Sequence, residues 1–218
     1  MSREFLAKTT KFLIDSGANA KTTGAIIGLL SGEFVQENYV VPRYNIEEFI
    51  KNCIAKLSSR DMPVADLGCG RRNHSAIIED VLGTAGLEQY VALDHFIGRD
   101  ELYRESGPNV LGNVSRIPLV SDCIGCVICT EVLEHVPNDD EVLAEINRVL
   151  RTEGKLFLTI PGKYIPKHEK LPYQKDYRRY SVDSINLKLS SHGFQNVEIS
   201  DKSLYGMQLN IFAVASKI

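Results

Sequence analysis

No apolar run in these 218 residues approaches the roughly 18 that a membrane span requires. The nearest stretch, Ala25–Leu30, is far too short. The opening residues, Met1-Ser-Arg-Glu-Phe5, lack the apolar core and small-residue cleavage site of a secretory leader. Positive charge is not in excess: 25 Lys and Arg stand against 28 Asp and Glu, for a net charge of −3. The basic clusters are as short as Arg71-Arg72 and Arg178-Arg179, so the balance does not point to nucleic acid as a partner. Cysteine is sparse and odd in number. Five occur, three of them between 123 and 129, a pattern that suits free thiols inside a cell and gives a cytoplasmic expectation. Internal repeats and low-complexity tracts are missing as well.

What remains is an ordinary globular composition, 44% hydrophobic and 24% charged. The length suits one domain with enough core to need no disulfide or metal. Its expected organisation is an N-terminal helical cap over residues 1–60 and a core over 61–218. In the first 40 residues, Phe5, Leu6, Phe12, Leu13 and Ile14 form the apolar stripe of a helix that Gly17 would end. Helical spacing is clearer over 45–57, where Ile46, Phe49, Ile50, Cys53, Ile54 and Leu57 recur.

From residue 63 short apolar runs alternate with amphipathic stretches. Strands are expected at 64–67, 90–93, 109–111, 124–129 and 156–160, and helices at 75–82, 139–150 and 182–191. Strand-then-helix repetition implies a parallel sheet covered on both faces. Two more strands, at 196–200 and 208–215, lie too close together for a crossover helix and read as an antiparallel hairpin at one edge. The expected fold is a Rossmann-like, doubly wound, seven-stranded and mostly parallel sheet with an antiparallel C-terminal strand and added N-terminal helices.

The sharpest local signal is Val64-Ala-Asp-Leu-Gly-Cys-Gly70, a strand running into a glycine turn before a helix. Glycines let the backbone turn tightly and approach a ligand, and in such sheets ligands bind at the carboxyl ends of the strands. A dinucleotide fingerprint would place a third glycine at 73, where Asn73 stands, which opposes a nicotinamide-dependent oxidoreductase. Asp94, 24 residues after Gly70 at the end of the next strand, can accept from both hydroxyls of a ribose.

Four matches in order resemble the class I S-adenosylmethionine-dependent methyltransferases, specifically their small-molecule methyltransferase-domain group. They are Asp66-Leu-Gly-Cys-Gly70; Val91-Ala-Leu-Asp94; Asn113-Val-Ser-Arg-Ile-Pro118; and the block from Cys129-Thr-Glu-Val-Leu-Glu-His-Val136 through Glu145–Arg151 to Gly154-Lys-Leu-Phe-Leu-Thr-Ile-Pro161. The resemblance spans about residues 64–199. It implies S-adenosylmethionine as cofactor, with the backbone of Gly68, Cys69 and Gly70 against its methionine part and Asp66 holding the ammonium, directly or through water. It implies Asp94 on the ribose hydroxyls, His95 or Phe96 beside the adenine, Asn113 and Val114 on the adenine-side loop, and Cys129 and Thr130 next to the sulfonium. Arg71 and Arg72 depart from the small residues common there, and Gly125 stands where the family often has Asp.

Other chemistry is more open. Cys123, Cys126 and Cys129 invite a metal, but strand alternation turns Cys126 away from the other two, so packed thiols are expected and no metal. His135, beside Glu131 and Glu134, is a candidate general base, or simply a histidine that fixes the loop before Pro137. The long connection after the fifth strand carries His168, Asp176, Tyr177, Arg179 and Tyr180, with Ser181 as a helix N-cap. His168 and Asp176 are further candidates for the base, and Tyr177, Arg179 and Tyr180 for holding substrate. The expected activity is methyl transfer to a small or medium-sized metabolite, at oxygen or carbon, because no Asn/Asp-Pro-Pro-Tyr follows the fourth strand. The alternative is a cofactor-binding regulatory partner of another methyltransferase, without catalysis.

Overall fold

The computed structural model describes residues 8–9, 11–13, 15–17, 43–57, 62–95, 107–163, 175–204 and 207–218. Near the start, residues 8–9, 11–13 and 15 are helical and Gly17 follows with φ +77°, as a helix-ending glycine should. Phe12, expected on the apolar stripe, is 69% exposed. Phe5, Leu6 and Ile14 lie outside the described residues.

The four residues of β1 (Val64–Leu67) are all buried, as an apolar run without alternation demands. β1 pairs in parallel with both β2 (Tyr90–Asp94) and β4 (Ile124–Thr130). β3 (Val110–Leu111) joins β2, and β5 (Leu150–Pro161) joins β4, also in parallel. The sheet closes with β6 (Phe194–Leu204) and β7 (Met207–Lys217), in the order β3-β2-β1-β4-β5-β7-β6. The expected seven-stranded sheet is therefore present. β7 runs antiparallel to both neighbours and lies inside β6. Burial explains that order: Ile211, Phe212, Ala213 and Ala215 of β7 are all buried, whereas residues 195–200 of β6 alternate half-buried and exposed, as an edge does.

β3 is shorter than expected because Asn109 completes its ladder with a side chain. Asn109 Oδ1 accepts from Ala92 N at 2.7 Å and Nδ2 donates to Tyr90 O at 2.8 Å. β5 begins six residues earlier than expected, since Leu150 already pairs with Ile124 across an irregularity.

Side chains leave the sheet alternately and feed two cores. Cys126 and Ile128 join Ile46, Ile50 and Ile54 of α1 (Arg43–Ala55) and Ile78 and Leu82 of α2 (Ser75–Glu88). Val127 and Cys129 join Val142, Leu143 and Ile146 of α3 (Asp139–Val149) and Ile185 and Leu189 of α4 (Val182–Ser191). Cys126 and Cys129 thus face opposite sides, and all five cysteines are free. Asp139, Asp140 and Glu141 in the first turn of α3 and Arg148 in its last suit the helix dipole. Ser181 caps α4 in a reciprocal pair with Ser184.

The connection from β3 to β4 is tied down by one side chain. Arg148 donates from Nη1 to Leu119 O at 2.8 Å and from Nη2 to Ile117 O at 2.9 Å. Glu145 holds Arg148 Nε at 2.7 Å and accepts from Ile117 N at 2.7 Å. The Arg148 hydrogen bond holds the Glu145 carboxyl below its usual pKa. Replacing Arg148 by Ala removes the side-chain donor of Leu119 O and leaves Ile117 O with only the Leu119 N–H, and it is expected to cost about 1–3 kcal/mol. Urea denaturation of the variant beside the parent checks this; an unchanged midpoint removes Arg148 from the role.

Candidate functional site

Strand order reverses between β1 and β4, so the chains leaving these two strands diverge and open a crevice at their carboxyl ends. The two chains also touch. Gly68 sits at φ +69°, and a Cβ added there would fall 2.5 Å from Val132 Cγ2, just beyond β4. Gly68 N and Cys69 N donate to Leu93 O at 2.8 and 3.1 Å, which ties the turn to β2. Gly70, at φ +55°, donates its N–H to Asp94 Oδ2 at 3.0 Å. The glycine turn and the acid at the end of β2 therefore form one unit.

Asp66 lies beneath this turn. It is fully buried, and its Oδ2 accepts from the Tyr90 hydroxyl and meets His74 Nδ1 at 3.0 Å. Burial, then the Asp66 charge, pushes the Tyr90 phenol far above its ordinary range. Asp66 Oδ1 is buried with no hydrogen-bond partner among the described residues. In this arrangement Asp66 braces the turn from the α1 and α2 side. Burial, followed by the charges of Asp66 and Asp94, raises the Cys69 thiol to about 12, so it is unreactive.

The remaining expected cofactor residues fall as follows. His95 is exposed, with Nδ1 3.2 Å from Asp94 Oδ1. Asn113 Oδ1 accepts from Ser115 N at 2.9 Å, which builds the loop after β3 as an Asx turn. Val114 packs against the α3 and α4 core. The Cys129 side chain belongs to that core, while Thr130 is half-buried at the strand end. Arg72, at φ +53°, donates to Gly107 O and so pins the turn to the segment before β3. Phe96 lies outside the described residues.

On the other side of the crevice the chain leaving β4 is crowded with ionisable groups. Glu131, at φ +54°, accepts from Thr159 Oγ1 at 2.9 Å and Asn210 Nδ2 at 3.2 Å. Burial raises its carboxyl to about 7. Glu134, in the 3-10 turn Leu133–His135, is 2% exposed, and its Oε2 has no hydrogen-bond partner among the described residues. Burial, and then the Glu131 charge, lifts its carboxyl to about 8. His135 Nε2 lies 3.6 Å from Glu134 Oε1, and Nδ1 lies 2.9 Å from Asp176 Oδ1. Burial lowers the imidazole, but Asp176 and then Glu134 outweigh it, so its pKa stands above the ordinary value.

The segment before α4 reaches into this cluster. The Asp176 side chain is fully buried and holds Arg179 Nη2 at 2.5 Å. Tyr177 N donates to Glu134 O at 2.8 Å, and its ring is 40% exposed with Lys175 Nζ 4.9 Å from the centroid. Tyr180, expected to touch substrate, is 3% exposed and gives its hydroxyl to Asp139 Oδ2 at 2.8 Å. Arg178 pairs with Asp139 at 3.0 Å. His168 lies outside the described residues. Thus His135, Asp176 and Arg179 come together, and Tyr180 is spent on the scaffold. Sequence reasoning missed Thr159 and Asn210. Each is a buried polar residue inside an apolar strand, and that interruption was the signal that could have marked them.

Residues 65–158 match the family of methyltransferase domains. Among curated proteins, an uncharacterised 37.1 kDa protein in transposon TN4556 of Streptomyces fradiae is 27% identical over 55% of this chain and 36% of its own length. An uncharacterised protein of Methanocaldococcus jannaschii is 26% identical over 49% of this chain and 44% of its own. The chain therefore spans less than half the length of these curated relatives. Solved structures resemble it over more of its length. A chain in the complex of the Haloferax volcanii Trm112 methyltransferase activator with a methyltransferase superposes with a TM-score of 0.61 at 14% identity, covering 80% of this chain and 91% of that one. S-adenosylmethionine-dependent methyltransferases of Archaeoglobus fulgidus and Mesorhizobium loti give 0.58 at 15% and 0.58 at 12%. They cover 78% of this chain and 94% of theirs, and 79% and 98%, respectively.

The raised carboxyls make a stability prediction. A group that holds its proton more tightly in the folded chain stabilises at low pH, and that contribution is lost as pH rises from the ordinary value, 4.5, toward about 8. Glu134→Gln removes the burden of a buried ionised carboxylate. The variant is expected to exceed the parent by roughly 1–3 kcal/mol at pH 8.5 and to gain little at pH 5. Urea denaturation at the two pH values checks this, and an equal difference at both would contradict it.

Proposed function

We propose that this chain, whose residues 65–158 match the family of methyltransferase domains, binds S-adenosylmethionine and transfers its methyl group to a small or medium-sized metabolite, at oxygen or carbon. The observation that carries this reading is the contact of the glycine turn with the chain leaving β4, which sets an acid-lined acceptor side directly against the cofactor turn.

The residues present fit the cofactor. A left-handed Gly68 against Val132 and a Gly70 bonded to Asp94 leave the turn without side chains where a ligand must approach closely. In this reading the backbone of Gly68 to Gly70 meets the methionine part, and Asp94, whose carboxylate has about four acceptor sites, takes the ribose hydroxyls. In the same reading His95 serves the adenine, with the loop of Asn113 and Val114 beyond. When bound, the cofactor supplies an electrophilic methyl on sulfur. The chain's own work is to align the acceptor, exclude water and receive a proton. Glu131, Glu134, His135 and Asp176 are suited to that, and their presence argues against a cofactor-binding partner without catalysis, whose acceptor side would have no use for buried acids. Among the described residues no helix is long and apolar enough to cross a membrane.

Removing Asp94 deprives the ribose hydroxyls of a charged acceptor. Asp94→Ala is expected to weaken S-adenosylmethionine binding by roughly 1.5–3 kcal/mol, about 10- to 150-fold. Calorimetry on both proteins decides it. Equal affinities take Asp94 out of the site, and a parent that binds no cofactor overturns the proposed function itself.

A further inference from the structure

We propose that Arg72 is a positioning residue for the cofactor: it straps the glycine turn to the segment before β3 and so fixes the spacing in which the ribose and adenine are held. This rests on the methyltransferase reading above and adds to it a residue that touches neither the methyl group nor the acceptor.

Backbone conformation marks Arg72. Gly68, Gly70 and Arg72 alternate along the turn, and all three are left-handed, at φ +69°, +55° and +53°. Glycine takes that conformation freely, whereas the Cβ of an arginine crowds the backbone there. The third position would suit glycine better, so the side chain has to offset the strain. A residue held against its preference in this way points to a function. Arg72 Nε donates to the carbonyl of Gly107, a buried residue 35 positions away. A glycine at 72 has nothing with which to reach it.

Gly107 passes the restraint on. Asn109 N donates to Ala92 O at 3.0 Å, Asn109 Oδ1 accepts from Ala92 N at 2.7 Å and Nδ2 donates to Tyr90 O at 2.8 Å. Gly112 N donates to Asp94 O at 3.0 Å. Residues 107–112 are thus bonded along β2 from Tyr90 to Asp94. Asp94 in turn accepts from Gly70 N at 3.0 Å. The contacts close a ring that runs from the turn through Arg72, Gly107, β2 and Asp94 back to the turn. β3 itself contributes two residues to the ladder, a short hold for the edge of a sheet. The Arg72 side chain reaches past β2 to that edge and joins it to the turn directly. In the proposed reading the ribose lies against Asp94 and the adenine against the loop that begins at Asn113, directly after Gly112. The strap therefore sets the distance between the two walls of the adenosine slot.

The test uses the full chain with S-adenosylmethionine as the probe. Arg72→Gly suits the backbone and removes the strap, so it separates the two roles of the position. Calorimetry should show its affinity about tenfold below the parent's, the worth of one hydrogen bond from a charged donor. Arg72→Lys, which keeps a cationic donor, should lose less. Hydrogen exchange read by mass spectrometry then localises the effect. In the parent, saturating cofactor should slow the amides of both 68–72 and 107–113. In Arg72→Gly, also at saturation, the protection should persist at 68–72 and shrink at 107–113. An Arg72→Gly affinity equal to the parent's overturns the proposal, and so does a loss that Arg72→Lys does not reduce, which would leave an effect of the backbone alone. If neither variant folds, exchange in the parent decides: protection of 68–72 without 107–113 overturns the strap. A parent that binds no cofactor instead defeats the methyltransferase reading.

Discussion

The chain leaving β4 runs so close to the glycine turn after β1 that no side chain fits between them at Gly68. The contact is a consequence of parallel pairing. β1 lies between β2 and β4, in register with both, so the three strands end at one level and their exits share a narrow space. Any residue larger than glycine at 68 has to push Val132 aside, and with it the turn that carries Glu134 and His135. The glycine-turn half and the β4 half of the crevice are therefore mechanically one object.

Each half is braced from behind. Asp66 is buried under the glycine turn with Tyr90 and His74, and Asp94 receives the N–H of Gly70. On the β4 side, Thr159 and Asn210 reach across from β5 and β7 to hold Glu131. Asp139 gathers Tyr180, Arg178 and Lys188 and thereby fixes the segment that presents Asp176. These polar contacts lie in or beside the cores, where an unpaired group costs most, so they confine the side chains to a single arrangement. Among the described residues, Asp66 Oδ1 and Glu134 Oε2 are two buried atoms that escape such pairing, one near the end of β1 and one just beyond β4.

Glu131, Glu134 and His135 lie within five residues of sequence, yet their titration is set by what the fold brings to them. Burial dominates for the two acids, while for His135 the carboxylates of Asp176 and Glu134 outweigh burial. All three are raised from their ordinary values, the two acids by burial and the histidine by its carboxylate neighbours.

The sequence by itself determined the elements and their order. β1 and α4 stand where apolar runs and the Ser181 cap put them, and the alternation of strands and helices was enough for a seven-stranded, mostly parallel sheet. The glycine turn and Asp94 were legible for the same reason: local backbone geometry and short-range spacing are written in neighbouring residues. Only the tertiary structure decided that β7 lies inside β6, because that depends on which strand can bury both faces. It also decided that Tyr180 serves Asp139, that Asp66 turns beneath the loop, and that Thr159 and Asn210 attend Glu131. Those partners are 24 to 79 residues apart, and whether a polar side chain meets a ligand or another side chain is settled by packing in three dimensions, on which sequence spacing carries no information.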